Sequence, residues 1–213
     1  MTDPRTTRRE LVRRGAATTA AVTLAAAVPS LLEPVSALAK PVDDATVLAS
    51  LLRVEQVMVF AYERALEVGV GVGVGVEVGV LSASAQPVLS SFAGQERAHV
   101  RALSASLRSL AGTVPAPPTT VAAFESELRH LRVRRSPATL RTERQHLRFL
   151  IGLETLIARH YRYAIARLSA EKQLLIAAEI MANEAQHATL LRELVTPGNF
   201  RRAVPSGFVA GMT

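Results

Sequence analysis

The chain has 213 residues, 49% of them apolar, enough for one domain with a sizeable core and some appendages. Cysteine is absent, which excludes disulfides, zinc–thiolate sites, iron–sulfur clusters and thiol catalysis. The formal charge is +7 with aromatics at only 4%; no basic patch interleaved with aromatics occurs, so the charge reads as a solvated arginine-rich surface and nucleic acid is not an expected partner.

Residues 1–39 read as an address rather than as part of the fold. A basic start with Arg8-Arg9 followed by Leu11-Val12 leads into an apolar segment from about Gly15 to Leu32. The small-x-small sequence Ala37-Leu38-Ala39 then precedes Lys40. This is the layout of a cleavable secretory signal, and the arginine pair resembles the twin-arginine export type. The alternative is a retained anchor, but the segment is alanine-rich, contains Pro29 and is only marginally long enough to span a bilayer. The expectation is export across the cytoplasmic membrane, to periplasm, cell wall or exterior, with no stable anchor after cleavage.

Four long helical patterns follow within 40–196. The first runs from about Asp43 to Val68 and the second from about Ser84 to Ala111, with Pro87 in its first turn and Gly112 just past its end. The third is expected to start at Ser136-Pro137 and reach about Leu168, and the fourth to run from after Ser169 to the stop at Thr196-Pro197-Gly198. Between the first two lies the Gly-Val tract 69–80, whose alternation has the period of a strand but whose glycines make a poor one. It reads as a loop insertion at the bundle end. The segment 112–135, with "PAPP" and a short helical piece from Thr119 to Leu131, is long enough to cross the full length of a bundle. The tail 197–213 shows no clear element. The expected class is all-α: a four-helix bundle of two helical hairpins with a long crossover between the second and third helices.

Each long helix carries one glutamate in the middle of its apolar stripe. Glu55 has Leu48, Leu51, Leu52, Met58, Val59, Tyr62 and Leu66 at helical offsets. Glu96 has Leu89, Phe92, Ala93, His99, Val100, Leu103 and Leu107 at the same offsets; Glu154 and Glu184 repeat the pattern, with Tyr161 and His187 on their own stripes. A lone buried carboxylate costs several kcal/mol or takes up a proton, and four at one height repel. Two divalent cations compensate such a set, with His99 and His187 as nitrogen ligands.

The chain also repeats itself. Glu55 and Tyr62 match Glu154 and Tyr161, and Glu96-x-x-His99 matches Glu184-x-x-His187. Each half is a hairpin carrying one Glu and then Glu-x-x-His. Glu-x-x-His alone is a weak signal, for Glu127-x-x-His130 and Glu143-x-x-His146 fit it as well. The first of these sits in the short crossover piece. The second lies 11 residues before Glu154, about 16 Å along the axis and so near the helix end. Tyr62 and Tyr161 read either as core tyrosines with bonded hydroxyls or as hydrogen-bond donors or electron relays beside the ligands. His160 points off the stripe.

The ordered set, duplicated by half, resembles the ferritin-like superfamily of di-iron or di-manganese carboxylate proteins, and most closely its secreted bacterial ferritin-like domain proteins. The resemblance spans about Asp43 to Thr196. It implies Glu96 and Glu184 as carboxylates bridging two metals, Glu55 and Glu154 as terminal carboxylates, and His99 and His187 as terminal nitrogen ligands. Carboxylate-rich ligation suits iron or manganese, so the expected cofactor is two iron ions, with manganese as the alternative. The expected activity is ferroxidase-like oxidation of Fe(II) by oxygen or peroxide, for metal handling or protection against oxidants. A di-manganese peroxide-consuming enzyme and a non-catalytic, metal-stabilised binding or stress bundle remain open, as does the oligomeric state.

Overall fold

The computed structural model describes residues 42–70 and 80–204. The expected address segment 1–39, residues 71–79 of the Gly-Val tract and the last residues of the tail, 205–213, lie outside the described residues. Five helices of ten residues or more follow one another: α1 (Asp44–Val70), α2 (Ala85–Ser109), α3 (Val121–His130), α4 (Glu143–Ile165) and α5 (Glu171–Val195). A short α6 (Phe200–Ala203), capped by the Asn199 side chain, occupies the tail where the sequence showed no element. No strand occurs among the described residues.

α1 packs principally against α2, and α4 against α5, so the bundle is two hairpins. They join mainly through α1 against α4 and, less extensively, α2 against α5. Residues following Glu55 on α1 share a cavity wall with residues preceding Glu154 on α4, so those two helices run antiparallel. The Ser82 backbone N–H, just before α2, donates to Glu143 at the start of α4, so α2 and α4 run parallel. The chain between them must therefore return along the whole bundle. It does so through α3, and Gln56 on α1 pins the path by donating to the Pro115 carbonyl at 2.8 Å.

The core is aliphatic. Leu48, Leu51, Leu52 and Met58 of α1 meet Leu89, Leu103 and Leu107 of α2 and Leu147, Leu150 and Ile157 of α4, all at 1% exposure or less. Burial of each such side chain stabilises by roughly 1.5–3 kcal/mol. α1 is apolar and long enough to cross a membrane, but most of that stretch is buried within the bundle.

The helix boundaries follow local chemistry. Asp43 accepts from Thr46 N–H at 2.7 Å and starts α1. At the end of α2 the left-handed position belongs to Ala111 (φ 55°), while Gly112 N–H closes the turn onto the Leu107 carbonyl at 3.0 Å. Gly112 is required there by space, since a Cβ would lie 2.3 Å from Leu107 Cδ1. The third long helix starts later than Ser136-Pro137. Ser136 caps only the 3-10 turn Pro137–Thr139, and Leu140 is extended. Thr142 and Gln145 then form a reciprocal capping box that starts α4. Two backbone N–H groups satisfied at once make the better start.

Candidate metal centre

The four stripe glutamates all lie at the middle of the bundle and are fully buried: Glu55, Glu96, Glu154 and Glu184. α1, α2, α4 and α5 contribute one each. His99 and His187 stand one helical turn beyond Glu96 and Glu184, so each shares its glutamate's face. Their rings lie 6.1 Å apart, centroid to centroid, and nearly parallel.

The six side chains form two overlapping groups. Glu55, Glu96, His99 and Glu184 bring one ligand atom each to within 4.8 Å of one another, and so do Glu96, Glu154, Glu184 and His187. Glu96 and Glu184 belong to both groups; Glu55 with His99, and Glu154 with His187, each belong to one. His99 Nδ1 lies 2.9 Å from Glu184 Oε1 and 3.5 Å from Glu55 Oε2. His187 Nδ1 lies 3.0 Å from Glu96 Oε1, 3.5 Å from Glu184 Oε2 and 3.6 Å from Glu154 Oε1. Glu96 Oε2 lies 3.6 Å from His99 Nδ1 as well, so each Nδ1 faces oxygens from three glutamates.

These approaches are close but lack hydrogen-bond geometry. Both Nδ1 atoms, both oxygens of Glu96 and of Glu184, Glu55 Oε2 and Glu154 Oε2 are buried without a hydrogen-bond partner. An orphaned buried polar group costs about 1–3 kcal/mol, and more if charged. Eight converging on one point are a set of donors arranged for cations. Four carboxylates balance the charge of two divalent ions, and oxygen with a minority of imidazole nitrogen is the chemistry such ions take as ligands. The buried Glu and His groups can therefore hold metal ions.

The electrostatics show what the site does with protons alone. Burial, with the charge of Glu96 and Glu184 added, pushes the Glu55 carboxyl well above the ordinary carboxylate range. Burial, with the charge of Glu184 and Glu96, does the same to Glu154. Burial also opposes ionisation of Glu184, but contacts with His187 and His99 outweigh it and hold that carboxyl at about 2. Burial lowers His99, yet Glu184, Glu55 and Glu96 together push it up to about 12. His187 is pushed up to about 11 against burial by Glu154, Glu184 and Glu96. Without metal, protons sit where cations would.

The surroundings orient the set. The Tyr62 hydroxyl donates to Glu154 and the Tyr161 hydroxyl to Glu55, each across to the other hairpin. Burial first, then the neighbouring carboxylates, keeps both phenols protonated. His187 Nε2 lies 2.6 Å from Gln95 Oε1; with a proton on Nε2 held by that amide oxygen, Nδ1 is the nitrogen left to bind a metal. Phe92 stacks on the His187 ring, centroids 4.1 Å apart. Phe92 lay on the apolar stripe with no sign of this role, and Gln95 gave no sequence signal, because only the helix crossing aims it at His187.

The other motif matches lie elsewhere. Glu127 and His130 belong to α3, and Glu143 and His146 to the start of α4, outside both ligand groups. His160 is half-buried, with Nδ1 2.9 Å from the Leu156 carbonyl of its own helix.

Among curated proteins none matches the chain. A solved structure, a conserved hypothetical protein from Mycobacterium tuberculosis, is similar in fold with a TM-score of 0.55. It is 13% identical, and the match covers 71% of this chain and 96% of that one. The model of the ferritin-like domain matches residues 43–197, the stretch that contains all four long helices and all six converging side chains. The chain belongs to the ferritin-like domain family.

Proposed function

We propose that the protein is exported and binds two iron ions through Glu55, Glu96, His99, Glu154, Glu184 and His187, oxidising Fe(II) with oxygen or peroxide. The observation that carries this reading is the sharing of Glu96 and Glu184 between two otherwise separate ligand groups. Two shared carboxylates support two neighbouring ions rather than one. A pair of Fe(II) ions supplies two electrons, which with two protons convert one peroxide into two waters.

The residues of the chain have separable tasks in this reading. Glu96 and Glu184 hold the two ions together. Glu55 and His99 complete one position, Glu154 and His187 the other. Tyr62 and Tyr161 hold the terminal carboxylates in one rotamer, and Phe92 closes off one face of His187 to water. His99, at 9% exposure, is the most exposed of the six. Arg8-Arg9, the apolar segment and Ala37-Leu38-Ala39 support export.

Elemental analysis of folded, exported protein tests the metal, and stopped-flow absorption after Fe(II) addition tests the oxidation. The expected result is about two irons per chain and a ferric band that grows with oxygen or peroxide. Glu96→Ala and Glu184→Ala each remove the binding. Manganese in place of iron, with peroxide consumption, would transfer the site to peroxide removal. Metal that raises the melting temperature without any oxidation would make the centre structural.

A further inference from the structure

The internal repeat is also a symmetry of contacts. Tyr62 donates to Glu154 as Tyr161 does to Glu55. His99 Nδ1 lies 2.9 Å from Glu184 Oε1, and His187 Nδ1 lies 3.0 Å from Glu96 Oε1. In each pair of contacts the residues stand at matching places of the two hairpins. Two further places of the repeat are filled differently, and both bear on the histidines.

Gln95 precedes Glu96, and Asn183 precedes Glu184. Gln95 reaches the other hairpin, where its Oε1 lies 2.6 Å from His187 Nε2. The repeat puts Asn183 in the same relation to His99, but its side chain is one methylene shorter. His99 Nδ1 is sealed from water, whereas Nε2 is not sealed and has no hydrogen-bond partner among the described residues. Four residues before each paired glutamate stand Phe92 and Ile180. Phe92 stacks on the His187 ring, centroids 4.1 Å apart; Ile180 has no ring to lay on His99. His187 is accordingly 1% exposed and His99 9%.

These differences act on metal affinity. An acceptor on the outer nitrogen of a ligand histidine fixes its tautomer and orientation and makes the inner nitrogen a better ligand, and losing such a partner costs about 10–100-fold in affinity. Water can accept from His99 Nε2, but it is not tethered to the fold as the Gln95 amide is. The paired glutamates Glu96 and Glu184 serve both positions, and Glu55 and Glu154 each receive one tyrosine hydroxyl. The carboxylates therefore leave the two positions alike, and the surroundings of the histidines separate them.

Given two ions in the centre, we propose that the position completed by Glu154 and His187 fills first and binds tightly, while the position completed by Glu55 and His99 fills second and exchanges. Gln95 and Asn183 are the positioning residues that set the difference. Repulsion between neighbouring ions also separates two binding steps, so the spacing of the steps does not decide the matter; the order in which the histidines respond does.

The test is a titration of the folded metal-free chain with Zn(II), a diamagnetic probe, followed by the imidazole NMR signals, with anaerobic calorimetry of Fe(II) binding alongside. At one equivalent the His187 signals should shift, and those of His99 should move only between one and two equivalents. Gln95→Asn should weaken the first step about tenfold and leave the second in place. Asn183→Gln should strengthen the second step about tenfold and protect the His99 Nε2 proton from solvent exchange, a signature that altered packing alone does not give. Two ions that shift both histidines together, or His99 first, overturn the proposal and leave the two-ion reading standing. So does either variant leaving its own step unchanged. Fewer than two ions per chain remove the two-ion reading and the proposal with it.

Discussion

The Tyr62 hydroxyl donates to Glu154, a residue of the opposite hairpin, and Tyr161 returns the same contact to Glu55. The two bonds are related by the internal repeat, and each tyrosine stands on the helix whose own glutamate is held by the other. The hairpins are therefore tied twice through carboxylates of the candidate metal centre. Tyr62→Phe leaves a Glu154 oxygen buried without its donor. The expected loss in denaturant-unfolding stability of the metal-free chain is about 1–3 kcal/mol. A metal that takes up the freed oxygen reduces this loss. A loss that is the same with and without metal would mean that the tyrosine acts by packing alone.

Glu55→Gln should separate stability from metal binding. In the metal-free chain Glu55 is pushed toward its neutral form by burial and by the charges of Glu96 and Glu184. A neutral amide of the same shape should therefore leave the metal-free melting temperature unchanged or higher. It should also diminish the rise in melting temperature on adding Fe(II), because a terminal carboxylate is gone. Differential scanning calorimetry with and without Fe(II) checks both arms. A large destabilisation of the metal-free form would contradict the electrostatic reading.

The pH dependence has opposite signs in the two forms. In the metal-free chain His99 and His187 are raised to about 12 and about 11 from an ordinary 6.5. Their contribution to stability is complete below pH 6.5 and is lost progressively as pH rises toward those values. The raised carboxyls of Glu55 and Glu154 act in the same direction above their ordinary 4.5. Glu184, held at about 2, contributes above 4.5 and loses that contribution as pH falls through about 2. The metal-free bundle should thus lose stability between pH 6.5 and about 9. Metals displace protons from the same atoms, so the stabilisation that metal adds should increase over that window. Calorimetric titration in buffers of different ionisation enthalpy should show protons released on binding; an observed enthalpy independent of buffer would refute the competition.

Asp44 ties the start of α1 to the start of α5. Its carboxylate accepts from Ser169 N–H and from Ala170 N–H, both at 2.9 Å. Burial, the largest single influence, raises its pKa, but the bonds from Ser169 and Ala170 together prevail and hold it below its ordinary 3.8. Asp44→Ala should cost about 1 kcal/mol, the usual value of a lost helix cap, and Asp44→Asn less. The group is largely solvated, so screening keeps the effect small. The contribution is present above pH 3.8 and disappears as pH falls through the lower folded value. Equal stability of Asp44→Ala and the parent chain at pH 7 would remove the cap from the account.

The helices were legible because each carries one apolar stripe of helical period. The four glutamates stood out because each interrupts such a stripe at mid-helix. The start of α4 was misplaced for a local reason: Ser136-Pro137 has the form of a helix start, but Thr142 and Gln145 cap each other reciprocally six residues later. Gly112 lies just past the end of α2 as the sequence indicates, while the left-handed conformation itself falls on Ala111. The misplaced start lies at a helix end, where one or two hydrogen bonds decide the boundary.

The sequence by itself determined the all-helical class, the division into two similar hairpins and the six side chains directed inward, because one-dimensional period sets which face a residue occupies. Helix crossing decided the rest. It put Gln95 beneath His187, exchanged the tyrosines between hairpins and left His99 without the amide partner that His187 has. These depend on distances between residues far apart in the chain, and no local period records such distances.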